Sequence, residues 1–191
     1  MDVLDLHDRA RASTARIVTG VEPGQLGLAT PCVEWDVGAV LGHLVGGNRL
    51  FAHLAAGNRM EGPLLADPVA LRALATDDPA GAYEETARMV AEIWREPGAL
   101  ERTVPMPFGP VPGPFAVTLH FVDTLVHGWD LARATGQDTH LDPEVAGAAL
   151  AFARENLPGA MRGPGRPFGL EVPTTSTSVG DRLVAFMGRT P

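Results

Sequence analysis

The sequence predicts an all-α fold: a four-helix bundle with extra short helices and a proline-rich extended segment ahead of its most buried helix. Three observations point there. Apolar residues recur at helical spacing in several long stretches, with Gly and Pro breaking the chain between them. Residues 119–136, LHFVDTLVHGWDLARATG, are apolar almost all round, and a helix of that kind belongs inside a protein. The 191 residues, 45% hydrophobic and 20% charged, suit one soluble domain over 1–191 with a substantial core.

In residues 3–19, Val3, Leu6, Ala10, Ser13 and Ile17 recur at helical spacing, and Gly20 with Pro23-Gly24 stops that helix. Residues 26–36, LGLATPCVEWD, are too broken for regular structure. Asp36 can cap the next helix by accepting from a free N–H in its first turn. That helix, 37–56, carries Val40, Leu44, Phe51 and Leu54, with His43 beside Leu44. Gly46 and Gly47 one turn on leave room either for a neighbouring helix or for a bound molecule.

Residues 57–76, with Gly62-Pro63 and Asp67-Pro68, read as loop with a short helical turn at 69–74. A third helix over 78–94, with Pro79 in its first turn, carries the stripe Tyr83, Ala87, Val90 and Trp94. Residues 103–114, TVPMPFGPVPGP, contain five prolines; short extended pieces turning at Phe108-Gly109 are expected instead of helix. The buried helix then runs to Gly136, a natural left-handed stop. A fifth helix over 142–157 carries Val145, Ala149, Phe152 and Ala153. After a glycine- and proline-rich surface loop, 158–173, a short helix over 179–188 brings Leu183, Val184 and Phe186 back onto the bundle.

The net charge of -8 argues against a nucleic-acid footprint, which needs a clustered basic face. All fifteen basic residues are arginine, which excludes Schiff-base, P-loop and kinase-type lysine chemistry. One cysteine, Cys32, cannot form an intramolecular disulfide, as suits a reducing cytoplasm. The N-terminus has no basic-then-apolar leader pattern, and no run of 18 apolar residues offers a membrane span.

On a helix of about 100° per residue, His120, Asp123, His127 and Asp130 share a sector roughly 80° wide. That stripe takes two carboxylates and two imidazoles out of water, which buried groups tolerate when paired or when holding a metal. Asp123 and His127, one turn apart, can grip one ion, and His43 is the best third donor. Two imidazoles and a carboxylate form the open three-ligand set of catalytic zinc and of non-haem iron. The competing reading is a satisfied core hydrogen-bond pair. His120 is read either as a further ligand or proton-shuttling base, or as a residue at the site mouth. Asp130 is read as orienting an imidazole N–H or capping a neighbouring segment. Trp129 is assigned to the core, Cys32 to a structural rather than nucleophilic role, and His7, His53 and His140 to the surface.

The blocks TPCVEWDVGAVLGHLVGG (30–47), PFG (107–109), FVDTLVHGWDLARATG (121–136) and the terminal DRLVAFMGRTP resemble an actinobacterial metal-binding family. It belongs to the DinB/YfiT-like superfamily, close to the N-terminal domain of mycothiol-dependent maleylpyruvate isomerase. The resemblance covers nearly the whole chain. It implies a four-helix bundle holding a divalent metal, usually zinc or nickel, through a histidine on the second helix and a carboxylate-x3-histidine pair. Those positions fall on His43, Asp123 and His127. The isomerase carries glutamate where this chain has Asp123, whose shorter arm draws an ion toward the backbone or weakens its grip. It also has a second, C-terminal domain, which is not expected here after Leu157.

The expected function is a metal-dependent thiol transferase or isomerase-like enzyme that joins mycothiol, or a similar small thiol, to a small electrophile. His120 would move the proton. A metal-dependent hydrolase is the alternative within the enzymes; a non-catalytic metal- or ligand-binding sensor is the alternative outside them. Bundles of this kind commonly form homodimers through an outer helix face.

Overall fold

A computed structural model describes residues 2–60, 67–75, 77–163 and 168–191. Along the chain lie α1 (Val3–Thr19), α2 (Val37–Ala55), α3 (Pro68–Ala75), α4 (Pro79–Trp94), β1 (Thr103–Met106), β2 (Gly109–Pro112), α5 (Gly113–Thr135), α6 (Pro143–Asn156) and α7 (Val179–Phe186). The fold is the expected helical bundle. The chain divides into two compact units, Met1–Gln137 and Asp138–Pro191, a division that the sequence reading did not mark. The Gly62-Pro63 part of the expected 57–76 loop and residues 164–167 of the expected 158–173 loop lie outside the described residues.

The first unit is a bundle of α1, α2, α4 and α5. Helix α1 packs on α5 and α4, α2 packs on the same two, and α3 lies against α2. Aspartates start three of these helices, satisfying N–H groups that have no partner inside the helix. Asp2 accepts from Leu4 N at 3.1 Å, Asp36 from Ala39 N at 3.0 Å and Asp78 from Gly81 N at 2.9 Å. Asp36 also accepts from Arg72 Nε at 2.8 Å, tying α3 to the start of α2. The two helices approach closely because Gly42 has no side chain: a Cβ there would sit 1.7 Å from the Leu71 carbonyl oxygen.

The proline-rich segment forms an antiparallel hairpin, with Thr103 opposite Pro112 and Met106 opposite Gly109. Gly109, at φ 124°, supplies the left-handed backbone that closes the turn. Val104 and Met106 enter the core beside Phe51, Leu54, Val90, Trp94 and Val117. A second cluster gathers Val18, Val40, Leu41, Leu44, Tyr83 and Leu131. Burying each such side chain contributes about 1.5–3 kcal/mol.

Helix α5 begins at Gly113, ahead of the block that sequence reading isolated at 119. Pro114 falls in its first turn, where a missing N–H costs nothing. It ends at Gly136 in the left-handed region, φ 72°, as expected. Its buried face takes in Phe121, Val122, Leu125, Val126, Trp129 and Leu131, together with His120, His127 and Asp130.

One stripe lies differently. Helix α1 buries Leu6, His7, Ala10, Thr14 and Val18, a face turned from the expected Val3, Leu6, Ala10, Ser13, Ile17 line. The turn follows from two polar residues. His7 and the Thr14 hydroxyl find partners on α5, and Thr14 donates to the Thr124 carbonyl at 3.0 Å. Gly128 leaves room for this contact, since a Cβ there would lie 2.4 Å from Thr14 Oγ1.

In the second unit α6 and α7 pack on one another. Asp142 caps α6 and Ser178 caps α7. The Arg162 guanidinium lies 4.0 Å from the Phe186 ring centroid and donates to the Phe186 carbonyl at 2.6 Å, a cation–π contact backed by a charge-assisted hydrogen bond. Among the described residues no helix is long and apolar enough to cross a membrane.

Candidate metal centre

Three side chains meet where α2 crosses α5. Asp123 and His127 stand one helical turn apart on α5, as the i,i+4 spacing requires. His43 reaches them from α2. His43 Nε2 lies 3.1 Å from Asp123 Oδ2 and 3.3 Å from Oδ1, and His127 Nε2 lies 3.6 Å from Asp123 Oδ1. One donor atom from each falls within 4.8 Å of the other two. The His43 and Asp123 side chains are 22% and 31% exposed, against 10% for His127, so the cluster opens outward through the first pair. The two imidazole centroids lie 4.7 Å apart, and each ring turns its Nε2 edge toward the carboxylate.

The charges in this cluster support one another. Burial disfavours an ionised Asp123, but the facing imidazoles of His43 and His127 hold its carboxyl well below the usual carboxylate range. Burial likewise disfavours a charged His43, and the Asp123 charge and hydrogen bond outweigh it, so the His43 pKa lies above its ordinary value.

Asp130 sits one turn further along α5, fully buried. Its Oδ2 accepts from His127 Nδ1 at 3.0 Å. That bond keeps a proton on Nδ1 and turns Nε2 toward Asp123, the arrangement by which carboxylates orient metal-binding histidines. The orienting role expected for Asp130 therefore has its geometry. Trp35, in the irregular stretch before α2, packs its ring 4.6 Å from that of His43 and 5.5 Å from that of His127. It forms an apolar wall beside both imidazoles.

Of the two glycines after His43, Gly46 serves packing: a Cβ there would meet Leu74 of α3 at 2.9 Å. Gly47 has nothing within 4 Å of its missing Cβ. Cys32 is half-buried beside the centre, its sulfur within 4.8 Å of His127 and Asp130 donor atoms. Sequence reading placed this thiol in a loop and missed that neighbourhood. The stretch joining it to α2 has no period from which a position in space can be inferred.

His120 stands apart from the three-residue cluster. It is buried, its ring stacks on Phe51 at 4.3 Å, and both ring nitrogens have partners. Nε2 lies 3.1 Å from Asn48 Oδ1, and Nδ1 lies 3.0 Å from His7 Nε2. Asn48 Nδ2 in turn donates to Thr86 Oγ1 at 3.2 Å, and Thr86 donates to the Ala82 carbonyl at 2.8 Å. Because the Asn48 oxygen only accepts, His120 carries its proton on Nε2 and accepts at Nδ1 from His7 Nε2–H. One hydrogen-bonded chain thus runs through α4, α2, α5 and α1. Burial, aided by the neighbouring imidazole, pushes the His7 pKa down to about 2. Burial likewise pushes His120 down to about 4, so both rings are neutral at pH 7. The surface position expected for His7 is overturned: the residue is fully buried, with Nε2 bonded to His120 Nδ1 at 3.0 Å and its own Nδ1 left without a hydrogen-bond partner among the described residues. His53 and His140 are exposed, as expected.

A helical bundle that turns two imidazoles and a carboxylate toward one point belongs to an architectural class, the bundles whose facing helices can converge side chains on one site. The model of one family within that class, the mycothiol maleylpyruvate isomerase N-terminal domain, matches residues 7–132. The chain belongs to this family. Two curated Mycobacterium tuberculosis relatives, the uncharacterized protein MT0763 of strain CDC 1551 / Oshkosh and the uncharacterized protein Rv0738 of strain ATCC 25618 / H37Rv, are each 39% identical over 191 residues. Those alignments cover 100% of this chain and 99% of each relative. Among solved structures, the mycothiol-dependent maleylpyruvate isomerase superposes with a TM-score of 0.63 at 19% identity, covering 78% of this chain and 66% of that one. A histidine-to-alanine mutant of that isomerase gives 0.56 at 18% identity over 68% and 59%. The likeness to both is one of fold, and this chain spans about two thirds of the isomerase's length.

Proposed function

We propose that His43, Asp123 and His127 hold one divalent ion, zinc or nickel, and that the protein is a thiol-dependent transferase or isomerase-like enzyme. Its thiol would be mycothiol or a close analogue, and its second substrate a small electrophile. The observation that carries this reading is the convergence of two imidazoles and one carboxylate from α2 and α5 on a single point, their donor atoms within 4.8 Å. The donor set fits a borderline divalent ion and leaves coordination open. Family membership supports the choice of thiol, since the isomerase that names the family is mycothiol-dependent.

A divalent ion held by His43, Asp123 and His127 would supply Lewis acidity, the chemistry that favours the thiolate form of a small thiol near neutral pH. The chain's own residues do the rest. Asp130 keeps the proton on His127 Nδ1 and so presents the Nε2 lone pair inward. Trp35 packs beside both imidazole rings and excludes water from that side of the centre. The more exposed His43 and Asp123 form the side through which substrates reach the ligands. We assign His120 a positioning role in the buried chain, because both of its ring nitrogens are already bonded; a proton moved between substrates has no free ring nitrogen there.

Elemental analysis of wild type beside His127→Ala tests the metal. About one ion per chain is expected in the first and a large loss in the second. Mycothiol titrated into the cobalt-substituted protein tests the enzyme reading. A sulfur-to-cobalt charge-transfer band is the expected result. Bound metal that ignores thiols would mark a non-catalytic sensor instead, and protein that stays metal-free when supplied with zinc and nickel would overturn the proposal.

A further inference from the structure

His127 belongs to two groups of donor atoms. Besides His43 and Asp123, it lies with Cys32 and Asp130 in a set whose sulfur, nitrogen and oxygen donors are all within 4.8 Å of one another. The loop that carries Cys32 is well tied. The Thr30 hydroxyl accepts from Cys32 N at 3.1 Å and donates to the Trp35 carbonyl at 2.7 Å, and a bridge between Ala29 and Asp36 closes the segment. Trp35, in that same loop, packs against the His127 ring. The thiol is therefore held beside the histidine by backbone that has few other places to go. Cys32 is half-buried, while Asp130 is fully buried, so an ion would approach from the cysteine side.

The two sets differ in chemistry. One offers imidazole and carboxylate only; the other adds a thiolate, the soft donor that selects thiophilic ions. We propose that Cys32, His127 and Asp130 form a second ligand set, specific for soft cations such as Cd2+, that competes with the first because both use His127. Binding releases the thiol proton to solvent, and the proton that His127 Nδ1 shares with Asp130 passes to Nε2, so that an unprotonated Nδ1 faces the ion. Occupation of the soft set withdraws His127 from the other, so a thiophilic ion displaces zinc. The proposal shares His127 with the function proposed above but needs neither His43 nor Asp123, so the two readings fail separately.

The test is a cadmium titration of the full chain, read by thiolate-to-cadmium charge transfer in the near ultraviolet. The single cysteine makes any such band Cys32's. Wild type and His43→Ala are expected to show the band with affinities within about threefold, a difference of roughly 0.65 kcal/mol. His127→Ala and Asp130→Asn are each expected to bind cadmium at least about tenfold more weakly. Cys32→Ser is expected to lose the band and keep zinc affinity within about threefold. Saturating cadmium is expected to release zinc from wild type but not from Cys32→Ser. Cadmium bound without a band would overturn the proposal. So would a band of unchanged affinity in both His127→Ala and Asp130→Asn, since the thiol would then act alone. A cadmium band in a wild type that takes up no zinc would support this proposal while sinking the one above.

Discussion

Asp130 decides which nitrogen of His127 the centre can use. A neutral amide in its place can accept from Nδ1–H through its oxygen, but it no longer reinforces the ring's basicity with a full charge. We expect Asp130→Asn to keep the fold and to weaken zinc binding by about 10–100-fold, the usual effect of losing a carboxylate behind a metal-binding imidazole. Competition against a chromophoric chelator measures it, and an unchanged zinc affinity would show that Asp130 serves stability alone. The convergence of His43, Asp123 and His127 was legible in the sequence. Asp123 and His127 are related by the helical period, and His43 stood out as an imidazole in the middle of an apolar helix. Cys32 was not legible, because no period crosses the irregular stretch between it and α2. His7 was not legible either, because its partner lies 113 positions away.

At the scale of elements, the run of helices and the hairpin could be read from apolar spacing and proline placement. The rotation of α1 could not. Counting apolar residues selects Ile17, whereas the helix buries His7 and Thr14, whose partners sit on another helix. Each buried polar group of this kind that loses a partner costs stability, so Asn48 holds more than its own place. Asn48→Ala leaves His120 Nε2–H without an acceptor and removes a donor to Thr86. We expect a loss of about 1–3 kcal/mol from the unsatisfied groups with a further term for the cavity, read from urea denaturation. His7→Ala at the far end of the chain should not add independently. A coupling of about 0.5–3 kcal/mol in the double-variant cycle is the signature of one connected network, and strict additivity would show that the bonds act singly.

For the whole molecule, the consequence of this network is a stability that depends on pH. His7 and His120 titrate at about 2 and about 4 in the folded protein, against an ordinary value of 6.5. Below pH 6.5 the unfolded chain therefore binds protons that the folded chain refuses. Stability that is fully present above that value drains away as the pH falls toward about 4 and, for His7, lower still. Each proton taken up only on unfolding costs about 1.4 kcal/mol per pH unit. Other groups shift too: His43, raised, stabilises the folded state at low pH, and Asp123, depressed, stabilises it above the ordinary carboxylate range. A comparison between variants isolates the buried pair. Urea midpoints of wild type should fall steeply between pH 6.5 and pH 4.5, and His7→Ala, with one of the two buried imidazoles gone, should show about half of the pair's slope on a lower baseline. The slope difference is the decisive reading, because a purely structural loss moves the baseline alone. Equal slopes would mean that His7 stays as free to protonate in the fold as in the unfolded chain, which its fully buried ring does not permit.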